Sequence, residues 1–123
     1  MISTLQVSSQ QQNDAPIQLM KVTGRLDAGT VNIMERALTE ALAKGNKVLV
    51  LDLAELVYIS SSGLRALLTA RRAAHIRKGD VLISNMKRSV RDVFDMVGFS
   101  AVFGIHDNVD QAMLAATKIA GPN

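Results

Sequence analysis

Cysteine and tryptophan are both absent from this chain of 123 residues. Without cysteine there is no disulfide framework and no thiolate metal site, and the chain suits a reducing compartment. Aromatic residues are only 3%, one Tyr and three Phe, so the core has to be built from Leu, Val, Ile, Ala and Met. Little is then left for stacking on nucleic-acid bases. The two histidines lack matched carboxylate spacing and do not make a metal site. No apolar run approaches the roughly 20 residues of a membrane span. Met1 to Leu5 lacks the basic start and apolar block of a signal peptide. There is no glycine-rich phosphate loop ending in Lys-Ser/Thr and no G-x-S-x-G turn. These absences predict a cytoplasmic protein with no cofactor and no metal.

Apolar residues make up 48% and charged residues 20%, a globular composition. The length suits a single domain over 1–123 with one core. The net charge is +3. Arg65, Arg71, Arg72, Arg77 and Lys78 fall close together, followed by Lys87, Arg88 and Arg91. Such a run reads first as a solvated helix face, and second as a surface for nucleic acid or an acidic protein.

The hydrophobic pattern orders the elements. Alternation of Leu5 and Val7 predicts a strand over 2–7, and the polar stretch 8–16 a mobile hairpin loop. Ile17 to Thr23 reads as a second strand, with Ile17 and Leu19 on one face and Met20 and Val22 on the other; Gly24-Arg25-Leu26-Asp27 reads as a loop. Val31, Met34, Leu38, Ala41 and Leu42 predict a helix over Thr30 to Lys44, capped by Asp27 or Thr30 and stopped at Gly45. Lys47 to Leu53 reads as a third strand, covered on both faces, with a short loop after it. A helix led by Ser60-Ser61-Ser62-Gly63 runs to about Lys78, with Gly79 as its stop. Val81 to Ile83 is a fourth strand. Asn85 can cap a third helix carrying Val90, Val93, Phe94 and Val97, closed by Gly98. Val102 to Ile105 is a fifth strand. Asp107 can cap a last helix with Val109, Ala112, Met113 and Ala116, and 120–123 form a frayed tail. The order β-β-α-β-α-β-α-β-α predicts an α/β domain: an antiparallel opening pair in a mixed, mostly parallel sheet of about five strands, packed with about four helices.

The serines are the feature around which the rest is arranged. A strand that delivers three hydroxyls to a helix start puts them beside N–H groups without intrahelical partners. One hydroxyl suffices for a cap, so three exceed what capping requires. A phosphoryl group in the same place meets an anion site. Gly63 lets another backbone approach closely. An acyl-transfer triad of Ser61 with His75 or His106 and Asp52 does not assemble: His75 falls several turns from Ser61 on the same helix, and His106 at a strand end. We expect no catalytic residues.

The run Ile59-Ser60-Ser61-Ser62-Gly63-Leu64, preceded by Val50-Leu51-Asp52-Leu53 and Val57, resembles the signature of bacterial anti-sigma factor antagonists, the STAS-domain family. Gly24-Arg25-Leu26-Asp27 with Thr30 is similar to that family's Gly-x-Leu-Asp stretch before the first helix. Gly79, Val81-Leu82-Ile83-Ser84-Asn85, Val90 and Gly98 are similar to its later pattern. The resemblance covers nearly the whole chain. It implies a single STAS domain that binds an anti-sigma factor and releases that factor's target. It implies a partner that is also a serine kinase with an ATP-binding, histidine-kinase-like fold, and a separate serine phosphatase. By position it makes Ser61 the phosphorylated residue, with Ser60 and Ser62 as alternatives, and Gly24, Asp27, Ser60, Ser62, Gly63 and Leu64 the partner-binding positions. The family's usual acidic residue before the phosphoserine is Ser60 here. Two other functions remain open: a STAS scaffold subunit of a transport or signalling complex, without phosphorylation, and a nucleic-acid module using Arg71, Arg72, Arg77 and Lys78.

Overall fold

The first two strands, β1 (Leu5–Gln11) and β2 (Ile17–Leu26), pair antiparallel, with Leu5 opposite Gly24 and Gln11 opposite Gln18. The computed structural model describes residues 4–12 and 14–121. After β2 the chain alternates: α1 (Val31–Ala43), β3 (Val48–Ile59), α2 (Ser61–Ile76), β4 (Asp80–Ser84), α3 (Arg88–Met96), a 3-10 turn at Phe99–Ala101, β5 (Gly104–His106) and α4 (Val109–Ala120). The sheet order is β1-β2-β3-β4-β5, with every neighbour after the first pair parallel. This is the expected α/β architecture of five mixed strands and four helices.

Sequential strand order with crossovers of one hand puts the connecting helices on one face. Met34 and Leu38 of α1, Leu64, Leu67 and Ala70 of α2, and Val90 and Phe94 of α3 meet Met20, Val22, Leu49, Leu51 and Ile83 in the larger core. The other face is covered by α4 alone. Ala112 and Ala116 pack there on Ile17, Val48, Val50 and Leu82. Both faces of Val48–Leu51 are thus dry, as their unbroken apolar run predicts, and Ile17 and Met20 fall on opposite faces as expected.

Several boundaries differ from expectation, each for a local reason. Ser8 to Gln11 belong to β1 rather than to a loop. They lie along a sheet edge with exposed side chains, so backbone pairing alone makes them a strand. Residues 2, 3 and 13 of the expected strand and loop, and 122–123 of the expected tail, lie outside the described residues; Ala120 closes α4. Gly24 to Leu26 continue β2, and Ala54 to Ile59 continue β3, where a loop was expected. The register of this β2–β3 extension shifts twice, between Lys21 and Thr23 and between Gly24 and Arg25. Bulges of this kind break alternation. The buried residues of β3 become Leu53, Leu56 and Ile59, three apart, a spacing that does not read as a strand. Only β2 accompanies β3 here, because β4 ends opposite Asp52.

The helix ends also differ. Asn85 does not cap α3; its backbone is left-handed (φ 60°) and its amide donates to Asp52 Oδ1 at 3.3 Å, while Lys87 precedes the helix without a side-chain cap. Asn108, not Asp107, caps α4, accepting from the Gln111 N–H at 2.9 Å. Gly45 and Gly98 take the left-handed conformation expected after a helix. At the end of α2 that conformation falls to Lys78 (φ 63°), and Gly79 serves close packing instead.

One buried polar residue ties the opening strands to the first helix. Asn46 is 2% exposed. Its Nδ2 faces the Ala41 carbonyl (2.8 Å), Gln18 Oε1 (2.9 Å) and Gln11 Oε1 (3.2 Å), and its Oδ1 accepts from Gln11 Nε2 (2.7 Å). Truncation leaves the buried Gln18 and the Ala41 carbonyl without this partner, at about 2 kcal/mol. Asn46→Ala is therefore expected to lower the urea midpoint with an unchanged slope; a midpoint equal to wild type would show the network to be dispensable.

Candidate functional site

The two longest strands end side by side, and both feed helix starts. The Ser60 N–H donates to the Leu26 carbonyl at 2.9 Å, so the residue before α2 is tied to the last residue of β2. Ser60 is extended (φ −98°, ψ 173°) and its Oγ accepts from the Gly63 N–H at 3.3 Å. Its carbonyl accepts the first helical bond, from the Leu64 N–H at 3.0 Å. Ser60 is thus the helix cap. Capping by Ser, Asp and Asn is comparable, so Ser60 performs here what an acidic residue in its place would also do. Ser60→Ala is expected to cost about 1 kcal/mol of stability, read as a lowered thermal midpoint, whereas Ser60→Asp should retain it. Equal losses in the two variants would refute the capping role.

The cap leaves the next hydroxyl without a structural duty. Ser61 is the first residue of α2 and is exposed; Ser62 is half-buried. Gly63 and Leu64, expected as contact residues, lie beneath them. Leu64 is 4% exposed and belongs to the core. A Cβ on Gly63 would stand 2.6 Å from Leu26 Cγ and 3.0 Å from Ile59 Cγ1. The close approach that Gly63 permits is to side chains of the strand ends, not to another backbone. These two residues hold the serines in place by packing.

The stretch before α1 adjoins the serines through the Ser60–Leu26 bond. Asp27 Oδ1 accepts from the Gly29 N–H (3.0 Å) and the Thr30 N–H (3.2 Å). Thr30 Oγ1 donates to the Arg25 carbonyl (2.7 Å) and accepts from the Asp27 N–H (2.9 Å). Asp27, rather than Thr30, therefore supplies the oxygen that serves the start of α1. Gly24 is a bulge residue. Its φ is +109°, and a Cβ there would meet the Thr4 carbonyl oxygen at 2.4 Å. Gly24 shapes the strand against β1 rather than facing outward.

Arg25 and Val57, both within the sequence motifs, are joined on this surface by Tyr58, which motif reading did not single out. The second register shift places Arg25 opposite Tyr58. The Arg25 guanidinium lies 4.2 Å over the Tyr58 ring, and its Nε is 3.8 Å from Asp27 Oδ2. Val57 and Tyr58 are 51% and 41% exposed, just before the serines. Their signal in the sequence is an apolar pair at the end of a strand whose inward positions are already filled.

Other candidates are dispersed. His75 sits near the far end of α2 from Ser61, 3.0 Å from Asp80 Oδ1, and His106 ends β5, so no triad forms with Ser61. No group of metal-ligating side chains occurs among the described residues. Two of the four cations considered for nucleic acid are engaged by the fold. Arg71 Nε lies 3.6 Å from Asp80 Oδ1, and Arg77 donates to the Leu42 carbonyl. No helix among the described residues is long and apolar enough to cross a membrane.

A mixed five-stranded sheet with a capped serine cluster at the start of its second helix defines a class, and comparison with known families agrees. The STAS domain model matches residues 7–112, and the chain belongs to the STAS domain family. Its likeness extends to particular members. A Bordetella bronchiseptica protein named as a candidate anti-sigma factor antagonist, BtrV, is 34% identical over 99 residues, covering 80% of this chain and 84% of that protein. The crystal structure of an anti-sigma factor antagonist from Mycobacterium paratuberculosis superposes with a TM-score of 0.78 at 20% identity, covering 92% of this chain and 94% of that one. The Bacillus cell fate determinant SpoIIAA, solved in its phosphorylated form, gives 0.67 at 17% identity, covering 93% and 100%. The two structural likenesses show the shared fold.

Proposed function

We propose that this protein is an anti-sigma factor antagonist working by partner exchange in the cytoplasm, and that Ser61 is its switch. The unmodified form binds an anti-sigma factor that is also a serine kinase, with ATP held by that partner, and frees the factor's target. Phosphorylation of Ser61 ends the binding, and a serine phosphatase restores it. The protein acts as a binding partner and kinase substrate rather than as an enzyme. The observation that carries this reading is the division of labour among the serines: Ser60 is used as the cap, while Ser61 is exposed at the first position of α2.

The physics of the site supports it. A phosphoserine adds roughly −1.5 to −2 charges. At the start of a helix that charge is tolerated by the fold. The effect then falls on the partner, which would have to bury an unpaired charge at a close contact. Asp27, Arg25, Val57 and Tyr58 extend the contact surface on the β2–β3 side, and Ser60 and Ser62 flank the switch.

Affinity co-purification from the native cell tests the reading, with wild type, Ser61→Ala and Ser61→Asp as baits and phosphosite mapping of the wild type. We expect wild type and Ser61→Ala to retain an ATP-binding, kinase-like protein and Ser61→Asp to lose it, with phosphate mapped to Ser61. Recovery of one membrane-associated complex by all three baits would instead support the scaffold function.

A further inference from the structure

We propose that Arg65 is the internal partner of the phosphoryl group on Ser61, so that phosphorylation changes two surface side chains rather than one. This inference rests on the reading of Ser61 as the modified residue. Both residues are exposed and both lie in α2, four positions apart. That spacing puts their Cβ atoms about 5–6 Å apart on one face. Helical side chains lean back toward the N-terminus, so a long side chain at 65 covers the turn that begins at 61. An anion placed N-terminal to a cation is also the favourable order for such a pair. The Arg fork donates two parallel N–H bonds to phosphate oxygens.

The neighbourhood leaves Arg65 available. It makes no ion pair among the described residues. Ser61, Ser62, Leu68 and Thr69, its neighbours three and four positions away on the helix, are all uncharged. The first turn of α2 contains no acidic residue. Acidic groups on the adjoining elements are held elsewhere or unpaired with it. Asp27 faces Arg25 and the start of α1. Asp80 of β4 faces Arg71 and His75. Asp52 of β3 accepts from Asn85 and the Ala54 N–H. Glu35 of α1 borders the groove beside Ala66 and Thr69, and Glu55 is exposed on β3; neither pairs with Arg65.

In the unmodified protein Arg65 is therefore a free cation one turn from Ser61. After phosphorylation it is drawn back over the phosphate. A partner then meets an added anion and also loses a cation from the same patch.

The test needs no kinase. Phosphoserine is installed at position 61 of the full chain by genetic encoding, and the phosphate is titrated by phosphorus NMR in wild type, Arg65→Gln and Arg72→Gln. An adjacent cation favours the dianion and lowers the second phosphate pKa, ordinarily near 6. We expect the wild-type midpoint to lie about 0.3–0.5 pH unit below that of Arg65→Gln, and the difference to shrink at about 1 M salt, where the Debye length falls to about 3 Å. Arg72→Gln removes the same charge further along the helix and should titrate like wild type. Coincident titrations for wild type and Arg65→Gln, or equal shifts in both variants, would overturn the pairing. Failure of the parent reading looks different: native protein without phosphate at Ser61, whatever the encoded phosphoserine does.

Discussion

Gly79→Ala is expected to be the most destabilising single substitution of a glycine in this protein, by about 4 kcal/mol or more. A Cβ at this position would stand 1.7 Å from the Lys47 carbonyl oxygen, 2.5 Å from its carbon and 3.0 Å from its Cα. All three are backbone atoms, so no side chain can swing aside. The backbone cannot retreat cheaply either. The Gly79 N–H donates to the Ala74 carbonyl at 2.8 Å, closing α2, and the Asp80 N–H donates to that same Lys47 carbonyl at 3.0 Å, opening the β3–β4 pairing. Relief of the clash breaks one or both. A domain of this size has only about 5–15 kcal/mol in total, so the variant should be largely unfolded at modest temperature. Gly45→Ala supplies the comparison. Gly45 has a positive φ (+95°), which Gly79 does not, but a Cβ there meets nothing within 4 Å. It should cost only the left-handed penalty of about 1–2 kcal/mol. Thermal melts of the pair decide the matter: a smaller loss for Gly79→Ala than for Gly45→Ala would contradict the close-approach account.

Ser61→Asp is expected to have the largest effect on binding, with almost none on the fold. Against the purified kinase-type partner, its affinity should fall by about a hundredfold or more, equivalent to about 2.7 kcal/mol. Ser61→Ala should stay within a few-fold of wild type, because Ser60, not Ser61, caps α2. The difference between the two variants isolates charge from loss of the hydroxyl. Circular dichroism should show equal helix content in all three, since a carboxylate at the first helical position interacts favourably with the helix dipole. Titration calorimetry is the direct measurement. Equal affinities for the Ala and Asp variants would remove Ser61 as the switch, and loss of helix in the Asp variant would place the effect in the fold rather than at the contact.

The candidate site was partly legible before any coordinates. Three serines and a glycine at the head of an apolar helical stripe identify a helix start, and the Asp27 region a second. That both starts lie together follows from a bond between the Ser60 N–H and the Leu26 carbonyl, which only pairing of β2 with β3 creates. Leu64 and Gly63 read equally well as contacts or as packing in a motif, since a motif carries no burial. The fold makes them packing residues. The contact between Arg25 and Tyr58 is not legible in the sequence, because the two are thirty-three positions apart and meet through a bulged register.

What the amino-acid sequence determined by itself is the alternation of strands and helices, the division of Ile17 and Met20 between two faces, and the hydroxyl-rich start of α2. These rest on residue type and on the periods of helix and strand, which are local properties. Tertiary structure alone decided that Ser8 to Gln11 pair as an edge strand, that β3 runs on through Leu56 to Ile59, that Gly79 must stay bare against Lys47, and which serine caps and which is left exposed. Each depends on a partner distant in the chain, for Ser60 the Leu26 carbonyl that holds it at the helix start. Register, bulges and close approach are properties of pairs of segments, and no periodicity within one segment records them.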